Sequence, residues 1–236
     1  SYKVTVVFGS SGAGKTSLVQ CGFASMLKPE KTVLFNIRSA IDPMASLRAQ
    51  CIEPITVYDE TKDVFINLSR TAQSLRKTLV LFFDQFEEAF ILQPRETRKS
   101  LALLCKQILA SDLDIKIILG IREEYFARLF EFEKVVPDIQ ANRLWVRNMS
   151  GIQAEEIILN PCRICNVGIA PEVARRVITE LSRDGGVIEL PYVQVVMDTL
   201  YRRALERDAQ SPQIKVEDIE IQGGVRNILA NFIENQ

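Results

Sequence analysis

Near the start of the chain, Gly9-Ser10-Ser11-Gly12-Ala13-Gly14-Lys15-Thr16 sets a pair of glycines around a small-residue loop and ends on a lysine and a hydroxyl. That pattern is able to hold a polyphosphate. Glycines let successive backbone N–H groups converge on an anion, and a helix starting behind them adds positive potential. Lys15 would reach the β- and γ-phosphates, and Thr16 would put its hydroxyl on Mg²⁺. The candidate nucleotide-binding residues are therefore Gly9, Ser10, Ser11, Gly12, Ala13, Gly14, Lys15, Thr16 and the helix-opening Ser17.

A second group of residues supplies acids. Leu79-Val80-Leu81-Phe82-Phe83 is wholly apolar and ends in Asp84, the arrangement of a Walker B strand. Asp84 would hold Mg²⁺ through a water, across from Thr16. Glu87 and Glu88 follow closely. A carboxylate here can orient or deprotonate an attacking water. The same pair would also suit an acidic first helical turn, complementing the helix dipole. At least one is expected to be catalytic, and the choice between them stays open. Ile115 to Ile121 ends at Arg122, where a guanidinium could read the γ-phosphate. Residues at the carboxyl ends of parallel strands face the ligand crevice.

These groups need a scaffold of alternating strands and helices. Val4 to Phe8 reads as a buried strand before the loop, and Ser17 to Leu27 as a helix ending before Pro29. Thr32 to Ile37 is a second strand, and Asp42-Pro43 caps a helix through Leu47 and Cys51. A helix through Phe65, Leu68 and Leu75 precedes the Leu79–Phe83 strand. Leu101, Leu104, Cys105, Ile108 and Leu109 make one helical stripe, with strands at Ile115 to Leu119 and Leu144 to Val146 beyond it. The fold class expected is α/β, a parallel sheet with helices on both faces. Past residue 150 the pattern becomes helical, at about 153–160, 172–183, 192–207 and 225–235, with a stripe of Val193, Val196, Met197, Leu200 and Tyr201 and no expected strand. A boundary falls near Met149-Ser150-Gly151, giving a core over 1–149 and a helical region over 150–236.

Composition narrows the chemistry. The 236 residues are 47% hydrophobic and 25% charged with net charge −1, which offers no argument for wholesale nucleic-acid or membrane binding. No apolar run reaches membrane-span length. The chain has no histidine, which excludes Ser-His-Asp and Cys-His catalysis and imidazole metal ligands within it. Five irregularly spaced cysteines read as reduced core thiols of a cytoplasmic protein, and Cys162-Arg163-Ile164-Cys165 reads as structural. No asparagine precedes a lysine, so the Asn-Lys-x-Asp loop that selects guanine is missing; that favours ATP and ADP by exclusion.

Taken in order, "GSSGAGKTSLVQCGF", "LVLFFDQFEEAF", "ILGIREEYFARL", "GGVIELPYVQVVMDTLYRRA" and the tail "VEDIEIQGGVRNILANFIENQ" resemble the STAND signalling NTPases, relatives of the AAA+ ATPases, in their bacterial novel STAND branch. The resemblance implies a P-loop NTPase core followed by a helical lid leading toward a further domain. It implies a switch that rests with ADP, exchanges it for ATP on a trigger, and self-associates to drive an effector, as in bacterial defence. By position, Lys15 and Thr16 are Walker A, Asp84 is Walker B with Glu87 and Glu88 as its acidic extension, and Arg122 is the sensor arginine. Pro191 stands where the class has a lid proline that packs on adenine, with Glu189 in place of the usual glycine. The usual adenine-contacting segment before the first strand, the sensor and the effector are not in this sequence, which is expected to be the nucleotide-binding portion of a longer protein.

Other uses of such a core are a rapid AAA+-type motor or DNA-loading ATPase, and a scaffold that no longer cycles. A remodeller would display substrate loops and a DNA loader a basic face, and neither stands out. The acids after Asp84 argue against the scaffold. A slow regulatory ATPase is the expected function, with adenine nucleotide and Mg²⁺ as its ligands.

Overall fold

A computed structural model describes residues 2–39, 42–182 and 187–234. The apolar, β-branched first run forms β1 (Val4–Gly9). After the glycine loop, α1 (Lys15–Ser17) runs on through a π-helical stretch, Leu18–Phe23, into α2 (Ala24–Met26). β2 (Thr32–Arg38) leads to α3 (Pro43–Leu47), capped by the Asp42 carboxylate accepting from the Met44 N–H at 2.9 Å. Proline suits that first turn because its missing N–H would have no partner there anyway. Asp63 caps α4 (Val64–Leu75) in the same manner, through the Ile66 N–H at 2.8 Å.

β3 (Thr78–Asp84) follows, then α5 (Glu87–Ile91) and α6 (Arg95–Ala110). β4 (Ile115–Arg122) passes through a 3₁₀ segment, Glu123–Leu129, into α7 (Phe130–Glu133), and β5 (Arg143–Trp145) completes the sheet. The five strands are all parallel, in the order β2-β3-β4-β1-β5. The expected α/β core with helices on both faces is what the chain builds.

The register explains why β3 reads as continuously apolar. Leu79, Leu81 and Phe83 enter the larger core with Ile37, Leu47, Leu68, Leu104 and Ile117, while Phe82 turns to the other face with Val7 and Val19. A strand covered on both faces gains nothing from polar alternation. β5 lies at the edge, and Arg143, Leu144 and Trp145 are all exposed. Burial pushes the Cys51 and Cys105 thiols up to about 12, which leaves them as inert core groups.

Contacts divide the chain into Ser1–Val146 and Arg147–Gln236. The second unit contains α8 (Gly151–Ile164), β6 (Gly168–Ile169), α9 (Pro171–Leu181), α10 (Leu190–Arg207), β7 (Gln213–Ile214), α11 (Val216–Ile221) and α12 (Val225–Glu234). Its core gathers Ile158, Val173, Val177, Val196, Leu200, Ile219 and Ile228. In the expected α10 stripe, Val193, Val196 and Leu200 are buried and Met197 packs at the margin, but Tyr201 is exposed.

The absence of strands expected here is corrected by β6 and β7, a two-residue parallel pair that matches Gly168 with Gln213 and Ile169 with Ile214. Two residues are too few to show a period of two. Helix α11 was also not expected. Buried carboxylates hold the starts of the last two helices: Asp218 accepts from the Lys215 N–H at 2.8 Å, and Glu180 accepts from the Val225 N–H at 2.9 Å.

Candidate functional site

The phosphate loop depends on glycine at three places. Gly12 and Gly14 have φ of 72° and 91°, in the left-handed region that side chains resist. A Cβ on Gly9 would lie 2.2 Å from the Val146 carbonyl oxygen, so only glycine lets β1 pass that backbone. The loop closes through the Ala13 N–H to the Ser10 carbonyl at 3.3 Å, and the helix starts with the Leu18 N–H on the Gly14 carbonyl at 2.8 Å. Ser11 and Thr16 stay within the loop and the first turn, beside Ser17.

Lys15 turns back over the loop. Its Nζ donates to the Gly9 and Ser10 carbonyls at 2.9 and 2.8 Å. Burial lowers its pKa, against the attraction of Glu87, Glu124 and Asp84. The end of β3, the start of α5 and the 3₁₀ segment thus each bring a carboxylate toward this cation.

Thr16 and Asp84 meet directly. The Thr16 hydroxyl lies 2.9 Å from Asp84 Oδ1 and 3.0 Å from Oδ2. A hydroxyl and a carboxylate are hard oxygen donors of the kind Mg²⁺ accepts, and the two strand ends already bring them together. The donor set fits the metal.

The turn after Asp84 decides what the two glutamates face. Gln85 adopts φ of 51°, and its N–H bonds the Asp84 carboxylate at 3.0 Å. Phe86 then enters the core edge-on against Phe83, Phe90 and Phe132, and its N–H bonds the Gly120 carbonyl at 2.7 Å. This anchor swings Glu87 beneath the end of β4. Glu87 is 3% exposed, and its two oxygens take the Arg122 side chain at 3.0 Å and the Arg122 N–H at 3.1 Å.

Glu88 has a different environment. Its Oε2 is buried and has no hydrogen-bond partner among the described residues. Burial first, then the Glu87 charge, raises the Glu88 pKa; Arg122 and Arg38 pull the other way and Asp84 adds to the rise. A carboxyl in such a setting takes a proton more readily than an exposed one.

Two residues near these groups escape the motif reading. Gly120 faces Phe82, where a Cβ would sit 2.9 Å from the ring and 3.5 Å from Asp84 Oδ1. Arg38 ends β2 directly beside Asp84 in the strand register. The signal for Arg38 was available, since a polar residue at the carboxyl end of a parallel strand is a crevice candidate. Pro191 belongs to the second unit, where it is exposed in the first turn of α10. Among the described residues, no helix is long and apolar enough to cross a membrane.

The family model described as Novel STAND NTPase 1 matches residues 1–235. No curated protein matches the chain. Among solved structures, the fold is similar to the ADP form of the ORC2 protein of Aeropyrum pernix, with a TM-score of 0.69 and 13% identity over 97% of this chain and 62% of that one. It is similar to a Walker-type ATPase of Pyrococcus abyssi, with a TM-score of 0.52 and 14% identity over 100% of this chain and 72% of the other. The FIGL-1 AAA domain has a TM-score of 0.55 and 14% identity, over 97% and 69% of the two chains. At these identities the likeness is one of fold.

Proposed function

The chain belongs to the novel STAND NTPase family, and from that premise we propose that it is a slow, regulatory ATPase that switches between ADP- and ATP-bound states. The observation that carries this reading is the Glu87–Arg122 pair. A buried carboxylate already holds Arg122 through its Nε and its backbone N–H, so a γ-phosphate that meets the outer guanidinium N–H groups competes with Glu87 for the same cation. An exchange of partners is a two-state element, which a ligand biases by its differential affinity for the states. Two of the similar solved structures, an ADP form and an ADPNP–ADP complex, agree in kind with an adenine nucleotide.

The roles proposed follow the geometry. The Gly9–Gly14 loop and Ser17 cradle the phosphates with backbone N–H groups, and Lys15 neutralises the β- and γ-phosphates. Thr16 and Asp84 would hold Mg²⁺, which when bound neutralises charge on the phosphate oxygens. Glu88 is the general base, because its Oε2 is uncommitted whereas both Glu87 oxygens hold Arg122. Water attacks the γ-phosphorus, its proton passes to Glu88, and the bond to the bridging oxygen breaks to leave ADP and phosphate. Glu87 positions Arg122. Pro191 is assigned to adenine by family resemblance alone.

Residues 1–149 are proposed as the NTPase core and 150–236 as the lid of a longer cytoplasmic signalling protein, one that self-associates when activated. Calorimetry, turnover and light scattering on the chain test this together. Lys15→Ala should abolish tight ADP binding, and Glu88→Gln should bind Mg-ATP without hydrolysing it. The parent chain should remain monomeric with ADP. Unchanged ADP affinity in Lys15→Ala, or a stable ring with ADP, would overturn the reading.

A further inference from the structure

Three strand ends line the acid side of the site. Asp84 ends β3, and Arg38 of β2 sits beside it in register. Across β3, β4 ends at Arg122. The two arginines differ in their commitments. Arg122 is bound to Glu87 through its side chain and its backbone, whereas no hydrogen bond or ion pair engages the Arg38 side chain among the described residues. An exposed guanidinium at this end of a parallel sheet is placed for ligand chemistry, not for packing.

On the same side, Glu88 carries a buried oxygen without a donor. A carboxylate left so costs free energy unless a donor or solvent reaches it in some state. We propose that Arg38 is a positioning residue for ATP hydrolysis, which holds the Glu88 carboxylate toward the attacking water. Arg38 and Arg122 both attract the Glu88 charge. Arg122 is held by Glu87, which leaves Arg38, at the end of the strand beside Asp84, as the arginine able to turn to Glu88. A planar guanidinium fixes a carboxylate by its paired donors more strictly than an ammonium does.

The inference rests on Glu88 as the base, and the experiment separates the two. Steady-state Mg-ATP turnover and ADP calorimetry are measured on the full chain and on Arg38→Ala, Arg38→Lys, Glu88→Gln and Arg38→Ala/Glu88→Gln. Arg38→Ala should lower kcat about tenfold or more while KM and ADP affinity stay within about twofold, and Arg38→Lys should recover part of the loss. In the Glu88→Gln background, where steady-state turnover is lost, the slow residual hydrolysis read in a single-turnover assay should fall no further with Arg38→Ala, since the two residues act as one unit. Equal proportional losses in Glu88→Gln and in the parent would overturn the coupling. So would unchanged kcat in Arg38→Ala, or a matching fall in ADP affinity. A Glu88→Gln variant with parental kcat would overturn the base assignment itself, and this inference with it. Arg38 is exposed, and a melting curve for Arg38→Ala like the parent's shows that the kinetics report on the site and not on folding.

Discussion

Glu87 grips Arg122 from both ends: one carboxylate oxygen lies 3.0 Å from the side-chain Nε and the other 3.1 Å from the backbone nitrogen. The glutamate is buried and the arginine about half exposed, at 47% for its side chain. A half-exposed cation can leave for another anion at modest cost, but the buried carboxylate would then need a new donor. Partner exchange is therefore sensitive to which residue is changed.

Glu87→Gln should free Arg122 from its charged partner and raise ATP affinity relative to ADP, by about tenfold, or roughly 1.4 kcal/mol. Arg122→Ala should move the same ratio the opposite way, because its γ-phosphate contact is lost. Competition binding of ADP and a non-hydrolysable ATP analogue gives the ratio for each variant. Movement in the same direction would mean that the pair only shapes the fold.

Gly9→Ala should destabilise the core by about 2 kcal/mol, as overpacking against backbone usually does. The added methyl meets the Val146 carbonyl, which cannot rotate away as a side-chain tip can. Gly22→Ala is the control, since its Cβ would meet only Leu18 Cδ1 at 3.7 Å. A thermal melt showing equal effects for the two would refute the close-approach account.

Much of this site can be read from residue order. The glycine loop, the apolar strand ending at Asp84 and the strand ending at Arg122 declare themselves, because burial on both faces removes polar residues until the strand emerges at the crevice. Glu87 and Glu88 could not be told apart. What separates them is the left-handed turn at Gln85 and the seating of Phe86 among aromatic rings contributed by β3, α5 and α7. That is tertiary information, and α5 has too few residues to define a face. Arg38 ends a strand that carries no motif, and only the pairing of β2 with β3 sets it beside Asp84. The β6–β7 pair likewise forms only because residues far apart in sequence are brought together.

The acid limb of ATP turnover should report Glu88. Its pKa is raised by burial and by Glu87, with Asp84 adding and Arg122 and Arg38 opposing. A raised value means the proton is retained to higher pH, so the base form is lost sooner as the solution is acidified. The falling limb of kcat should lie above the ordinary glutamate value of about 4.3. Glu88→Gln should abolish turnover across the whole range. A limb at or below the ordinary value in the parent would remove Glu88 from the base role.

Asp218 sets the acid stability of the second unit. It is fully buried, and burial alone would raise its pKa, but the Arg207 hydrogen bond, the Lys215 N–H and the Arg207 and Arg203 charges together hold it below the ordinary value. Arg207 reaches it at 2.6 and 3.2 Å. A depressed carboxyl binds fewer protons in the folded chain than in the unfolded one between the two pKa values, so stability rises with pH across that window. The contribution is complete above the unfolded aspartate value of about 3.9 and fades as pH falls through the lower folded value. Asp218→Ala removes the acceptor for the Lys215 N–H and leaves Arg207 without its partner. The expected cost is about 2–3 kcal/mol near neutral pH, toward the lower end for broken buried pairs because Arg207 is partly solvated. Arg207→Gln should cost less, since Lys215 and Arg203 still serve the carboxylate. Melting curves from pH 7 down to about pH 2 should show a steady gap between the parent and Asp218→Ala to about pH 4, which narrows below it as the carboxyl protonates. A constant gap between the two across that range would show that Asp218 stabilises by shape and not by charge.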